Sequence, residues 1–262
     1  MTNEILLERR DYVATITFNR PNQRNAIRYE GWLELRRLVE PLAVDNETRV
    51  VVFTGRGPEA FSAGADIKDF DEYRGDAIKA RIYQKAFDGA INAIEALPIP
   101  TICLIKGFCI GGGCELTLAT DLRVAADNAM FAIPAAKLGI VIGYEEMRRL
   151  IALIGPGHAS YLLMSGRMIE AKEAEDRGLV NSVVPLDDID EFVAELASEI
   201  SQLAPLSHKQ HKQIMNMLKN DPQLSRLTAE EHDLPFQNFD SEDFAEGRRS
   251  FLERRKPKFN GR

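Results

Sequence analysis

Basic charge is in short supply in this chain. Its 262 residues carry 33 Lys and Arg against 40 Asp and Glu, a net charge of -7. Proteins that bind nucleic acid or a membrane surface usually present a basic face, so neither partner is expected. No apolar run approaches the roughly 20 residues of a membrane span. The opening stretch MTNEILLERRDY lacks a signal-peptide core and carries acids early, which points to the cytoplasm rather than to secretion or an organelle. Cysteine is scarce and odd in number. Cys103, Cys109 and Cys114 have no metal-type spacing and fit small buried thiols in a reducing compartment. The four histidines are scattered. His208 and His211 alone could form half a site on a helix, so no metal is expected. There is no G-x-S-x-G elbow, no G-K-[ST] ending and no well-placed G-x-G-x-x-G, which argues against a serine hydrolase and a nucleotide loop.

What is present is apolar periodicity. The chain is 45% hydrophobic and long enough for one large core, or a core with a small appendage. Residues 4–9 and 12–18 read as a hairpin around Arg10-Asp11. Residues 28–42 and 77–97 repeat apolar side chains at helical spacing, and Pro98 and Pro100 stop the second of these. RVVVFTG (49–55), TICLI (101–105) and LRVAA (122–126) read as strands, with MFAI (130–133) a further candidate. Strands and helices alternate to about residue 140, which predicts an α/β core. Beyond it, 145–154, 156–164, 171–177, 188–203 and 206–219 read as helices, with NSVVP (181–185) strand-like.

The most informative stretch is GGGCEL, 111–116, a loop running into a helix. Its glycines bare peptide N–H groups that can meet developing negative charge on a carbonyl oxygen. A second such loop is AFSAGADIK (60–68), after the strand RVVVFTG. Both follow strand C-termini, where α/β sheets place their sites. Glu115 falls in the first helical turn, where a carboxylate can cap the helix or, in a dry site, carry a proton beside a polarised carbonyl.

These stretches stand in a familiar order: TFNRPNQRNAI (17–27), AFSAGADIK, KGFCIGGGCELTLATDLRVAA (106–126), FAIPAAKLGI (131–140), SGRMIEAKEAEDRGLVNSVVP (165–185) and DSEDFAEGRRSFLERRKPKF (240–259). Over nearly its full length the chain resembles the crotonase superfamily, the enoyl-CoA hydratase/isomerase family. That resemblance implies repeated ββα units wound into a right-handed superhelix over residues 1–200. It implies a C-terminal helical trimerisation region over 201–262, giving a homotrimer or homohexamer. It further implies an acyl-CoA thioester substrate, the coenzyme being part of the substrate and no separate cofactor being needed. The thioester oxygen would lie between the N–H groups of Ala65 and Gly112, with Glu115 as acid/base. Ala63, Ala65, Asp66, Ile67 and Lys68, with Gly111, Gly112 and Arg24, would border the substrate. The acyl lining is expected from 67–87, 109–110 and 140–146. Seven of the fifteen residues in 248–262 are Lys or Arg. Arg254 matches a position that touches a neighbouring subunit's coenzyme in some relatives.

One departure separates this chain from hydratases that hold water between two glutamates. Ala135 stands at the second carboxylate position. The loop LGIVIGYEEMRRL (138–150) supplies Tyr144, Glu145 and Glu146, any of which could stand in, although acids at a helix start are common in their own right. The resemblance therefore implies a hydratase-like lyase using one glutamate. The alternatives are an isomerase or an alkylmalonyl-CoA decarboxylase, or a scaffold subunit that binds acyl-CoA without turnover. Relatives of the decarboxylase type carry histidine in place of Ala65 and tyrosine in place of Ile142, which weighs against that option.

Overall fold

The computed structural model describes residues 4–262. Strands β1 (Ile5–Arg10) and β2 (Val13–Phe18) form the antiparallel hairpin, turning through Asp11 in a left-handed conformation (φ 52°). Helix α1 (Tyr29–Val39) follows, then β3 (Val50–Gly55), β4 (Ala60–Ser62), the short α2 (Phe70–Tyr73) and α3 (Ala77–Glu95). Next come β5 (Thr101–Ile105), β6 (Phe108–Ile110) and α4 (Gly112–Thr117), then β7 (Leu122–Ala126), β8 (Met130–Ala132) and α5 (Tyr144–Ser165). The chain continues through β9 (Ile169–Glu170), α6 (Ala171–Asp176), β10 (Ser182–Val184) and α7 (Ile189–Ser201). It ends in α8 (Pro205–Asn220), α9 (Ala229–Gln237) and α10 (Glu242–Leu252).

The strands segregate into two sheets. One runs β1-β2-β3-β5-β7-β10 and is parallel apart from the opening hairpin; the other runs β4-β6-β8-β9, with only the β8–β9 pair antiparallel. From β3 to α5 each repeat lays one strand in the large sheet, one in the small sheet, and then a helix. This is the ββα repeat expected from the sequence. The last unit reverses the order, with β9 in the small sheet, α6, and then β10 in the large one.

Sheet geometry explains why β3, β5 and β7 read as almost unbroken apolar runs. Side chains alternate between two faces, and here both faces are covered. Val51, Phe53, Cys103, Ile105 and Ala125 enter the main core with Trp32, Leu35, Phe87 and Ile91. Val50, Val52, Ile102, Leu104, Val124 and Ala126 face the other way, onto Ile189, Val193 and Ala197 of α7. The three cysteines are buried free thiols.

The break foreseen between 154 and 156 falls within α5, where Gly155 (φ 71°) precedes Pro156 and the helix kinks. Helices α9 and α10 lay outside the sequence-based reading. Local hydrogen bonds define their starts. Thr228 and Glu231 form a capping box, and the Ser241 hydroxyl accepts from the Phe244 N–H at 3.0 Å.

The C-terminal segment returns to its own core. Lys212 of α8 is buried, and its ammonium donates to the Asp121 carboxylate (2.7 Å) and the Ile99 carbonyl (2.9 Å). Arg49 reaches the Phe259 carbonyl at 2.8 Å. Lys212→Met leaves Asp121 without its cation, and we expect a loss of about 2–4 kcal/mol in urea unfolding.

Candidate active site

The small sheet places two loops side by side, because β4 and β6 are parallel neighbours and both loops leave their C-terminal ends. Hydrogen bonds hold the first loop. The Ala63 N–H donates to the Arg24 carbonyl (2.8 Å), and the Ser62 hydroxyl accepts from the Gly64 N–H (3.1 Å). The Ile27 N–H donates to the Gly64 carbonyl (2.8 Å), and the Asp66 N–H to the Ile27 carbonyl (3.0 Å). Ala65 lies between these bonds, and its own N–H has no hydrogen-bond partner among the described residues.

In the second loop the Gly111 N–H donates to the Ala132 carbonyl at 2.8 Å. Gly111 has φ 52° and ψ −125°, a conformation open almost only to glycine. The turn aims the Gly112 N–H outward at the start of α4, and that donor is likewise unpartnered among the described residues. A Cβ on Gly112 would press on Phe87 (3.1 Å) and Trp32 (3.3 Å). A Cβ on Gly64 would sit 2.6 Å from the Ile110 carbonyl oxygen and 3.0 Å from the Gly112 nitrogen. The loops therefore touch, and glycine at 64 is what lets them do so.

Both open onto a cavity of about 310 Å³ bordered by Ala63, Ala65, Ile67, Gly111, Gly112 and Glu115. Its apolar wall comes from Phe70, Tyr83, Phe87, Ile110, Ile140, Val141 and Ile142, within the stretches expected to line an acyl chain. Pro134, Ala135, Lys137 and Leu138 add a side that those stretches did not include. Tyr83 is locked in place by the Trp32 indole N–H, which donates to its hydroxyl at 2.7 Å.

Glu115 is 8% exposed, and its carboxyl makes no hydrogen bond or ion pair among the described residues. Its pKa is pushed up to about 8, first by burial and then by the negative charge of Glu146, with Arg74 opposing and Asp88 adding. The helix start that would favour its ionised form is outweighed by the loss of water.

The remaining expected residues divide clearly. Tyr144 is 96% exposed and lies outside the cavity lining. Glu145 pairs with Arg148 at 2.9 Å on the surface. Glu146 is fully buried; one oxygen lies 3.3 Å from Arg149, and the other, Oε2, is unpartnered among the described residues. A Cβ on Gly143, a cavity residue, would collide with that Oε2, so this carboxylate lies directly behind the wall. Burial raises its pKa as well.

Asp66 turns away from the cavity, accepting from Arg20 (2.9 Å) and from the Lys68 N–H (3.1 Å). Lys68 is outside the lining too. Arg24 stacks on Phe108, 4.8 Å from its centroid, and contributes its carbonyl to the first loop. Arg254 does not border the cavity of its own chain. Arg74 and Gln84 were not singled out from the sequence. Both fall inside the 67–87 stretch, but nothing local tells which face of α2 and α3 turns inward.

Among the described residues no group of three His, Cys, Asp or Glu side chains could hold a metal ion, and no helix is long and apolar enough to cross a membrane.

Comparison with known proteins agrees with this arrangement. The enoyl-CoA hydratase/isomerase family model matches residues 8–262. A crotonyl-CoA hydratase of Syntrophomonas wolfei is 35% identical over 256 residues, covering 97% of each chain. A short-chain-enoyl-CoA hydratase of Clostridium acetobutylicum is 33% identical over 97% of this chain and 96% of its own. The crystal structure of an enoyl-CoA hydratase/carnithine racemase from Magnetospirillum magneticum superposes with a TM-score of 0.96 at 35% identity, covering 100% of this chain and 97% of that one. In sequence and in fold alike, the chain belongs to the enoyl-CoA hydratase/isomerase family.

Proposed function

We propose that this protein is an enoyl-CoA hydratase-like lyase that adds water to an enoyl-CoA thioester, or removes it from the hydroxyacyl product, with Glu115 as its single acid/base. The observation that carries this reading is the pair of unpartnered N–H groups, Ala65 and Gly112, on touching loops beside a buried carboxyl. The thioester oxygen lies between these donors, and the pantetheine runs along 63–68. Ionised Glu115 takes a proton from water as the oxygen attacks the β-carbon. The electron pair of the double bond moves toward the thioester, whose oxygen becomes anionic and is held by the two N–H groups. Glu115 then returns its proton to the α-carbon. Ala135 borders the cavity but has no proton to exchange, so one carboxyl performs both transfers.

The pH profile separates one carboxyl from two. With Glu115 alone, hydration and dehydration both begin from its ionised form. Therefore kcat/KM in both directions rises with pH and levels off above about 8. Glu146 acting as a second, protonated group would instead give a bell. Incubation with crotonyl-CoA, followed by mass spectrometry for the added water, tests the reaction itself. Release of carbon dioxide from methylmalonyl-CoA, or binding without any product, would contradict it.

Isomerisation is the second reading. The same single carboxyl favours it, since moving a double bond from β,γ to α,β needs one base that returns its proton one carbon away. A 3-enoyl-CoA substrate distinguishes the two, because isomerisation leaves the mass unchanged.

We further propose a cytoplasmic homotrimer or homohexamer, with no cofactor beyond the substrate's own coenzyme. Residues 1–200 would form the catalytic core and 201–262 the contacts between subunits. Exposed Phe236, Phe239, Phe251 and Leu252 in the C-terminal region support this arrangement. Arg254 would reach a neighbouring subunit's coenzyme.

A further inference from the structure

Arg74 is a charged cavity residue that the hydration chemistry leaves without a task. It follows α2, and its backbone N–H closes that turn on the Phe70 carbonyl at 2.8 Å. Its guanidinium lies over the ring of Tyr83, 4.4 Å from the centroid, and 5.1 Å from that of Phe70. Both rings border the cavity, as does Arg74 itself. Stacking occupies the faces of a planar guanidinium and leaves its N–H edges. Among the described residues those edges make no hydrogen bond and no ion pair. Glu115 is near enough to feel the Arg74 charge, and among the described residues no ion pair joins the two. A partly buried cation against a mainly apolar wall loses water when a ligand fills the pocket, and an anion carried by that ligand would offset the cost. A fatty acyl chain brings no such group. Lys137 also borders the cavity, but its methylenes are packed toward Gly166.

We propose that Arg74 makes this cavity selective for acyl groups that end in a carboxylate, so that the substrate class is the mono-CoA thioester of an unsaturated dicarboxylic acid. This rests on the acyl-CoA hydratase reading for the reaction but not for the binding. The carboxylate takes two parallel hydrogen bonds from the guanidinium edge while the methylenes lie on Phe70 and Tyr83. A charge-assisted, two-pronged contact of this kind gives strong discrimination against a methyl end.

The test uses saturated thioesters, which bind without reacting. Glutaryl-, adipyl- and suberyl-CoA are titrated against valeryl-, hexanoyl- and octanoyl-CoA by calorimetry on the purified protein. We expect the best dicarboxylic member to bind roughly tenfold or more tightly than its chain-length match. Arg74→Met should bring that ratio close to one, and Arg74→Lys should keep part of it. Arg74→Gln, run in parallel, retains polarity and should lose the ratio as Met does. Equal or weaker binding of every dicarboxylic member to the wild type overturns the proposal, as does a ratio that Arg74→Met leaves unmoved. If the preference is present but no enoyl-CoA gains water, the hydratase reading fails while this one stands. If crotonyl-CoA is hydrated and no preference is found, the reverse holds.

Discussion

Glu115→Gln is expected to lower kcat for crotonyl-CoA hydration by about 10²–10⁴-fold, with a much smaller change in KM. The amide keeps the size of the side chain and loses the ability to carry a proton. Among the described residues no other carboxyl borders the cavity to take over. The same substitution should stabilise the fold, and the sign follows from linkage. The folded pKa of about 8 lies above the ordinary value of 4.5. Glu115 therefore contributes its full stability below about pH 4.5 and loses it as pH rises toward 8. The total, for a group this well buried, is roughly 3–5 kcal/mol. Gln removes that loss. Thermal unfolding should show Glu115→Gln near wild type at pH 5 and clearly more stable at pH 9. A variant that is both slower and more stable at alkaline pH would mark Glu115 as a group held in an unfavourable place for chemistry. Turnover at the wild-type rate would remove it from the mechanism.

Gly64→Ala carries the second large effect. At φ 89° an alanine is strained before any contact is counted, and its Cβ would meet the Ile110 carbonyl oxygen at 2.6 Å and the Gly112 nitrogen at 3.0 Å. Relief requires the two loops to part. Separating the Ala65 and Gly112 donors by even about 1 Å misplaces the developing oxyanion and should cost roughly 10²-fold in kcat/KM. Moving Ala65 while leaving Glu115 buried also distinguishes the donors from the base. In this variant the rise with pH toward about 8 should persist at the lower rate.

The sequence was most legible where one residue type has one physical use. Glycine at 111 and 112 pointed to a bare loop before a helix, and the backbone there is one that other residues avoid. The apolar runs of β3, β5 and β7 announced strands, and the two cores that cover both of their faces show why the runs are unbroken. Proline and glycine at 155–156 marked the kink in α5. The short strands β4 and β6, with three residues each, carry too little pattern to stand out, yet they bring the two loops together. Glu145 and Glu146 could not be separated on paper. Helix geometry separates them: one faces solvent and pairs with Arg148, while the other faces Arg149 behind the cavity wall. The family resemblance placed Asp66 along the substrate, and nothing in the local sequence shows what its carboxylate accepts from. In the fold it accepts from Arg20, forty-six positions away, which ties down the loop. Arg74 was hidden for the same reason. A single cation in a polar stretch gives no sign of the rings it will lie upon.

The most direct measurement is a crystal structure with butyryl-CoA bound, a thioester that cannot accept water. The thioester oxygen should lie within about 2.7–3.1 Å of both the Ala65 and the Gly112 nitrogen, with the Glu115 carboxyl facing the α- and β-carbons. A thioester oxygen turned to solvent, away from either nitrogen, would contradict the mechanism.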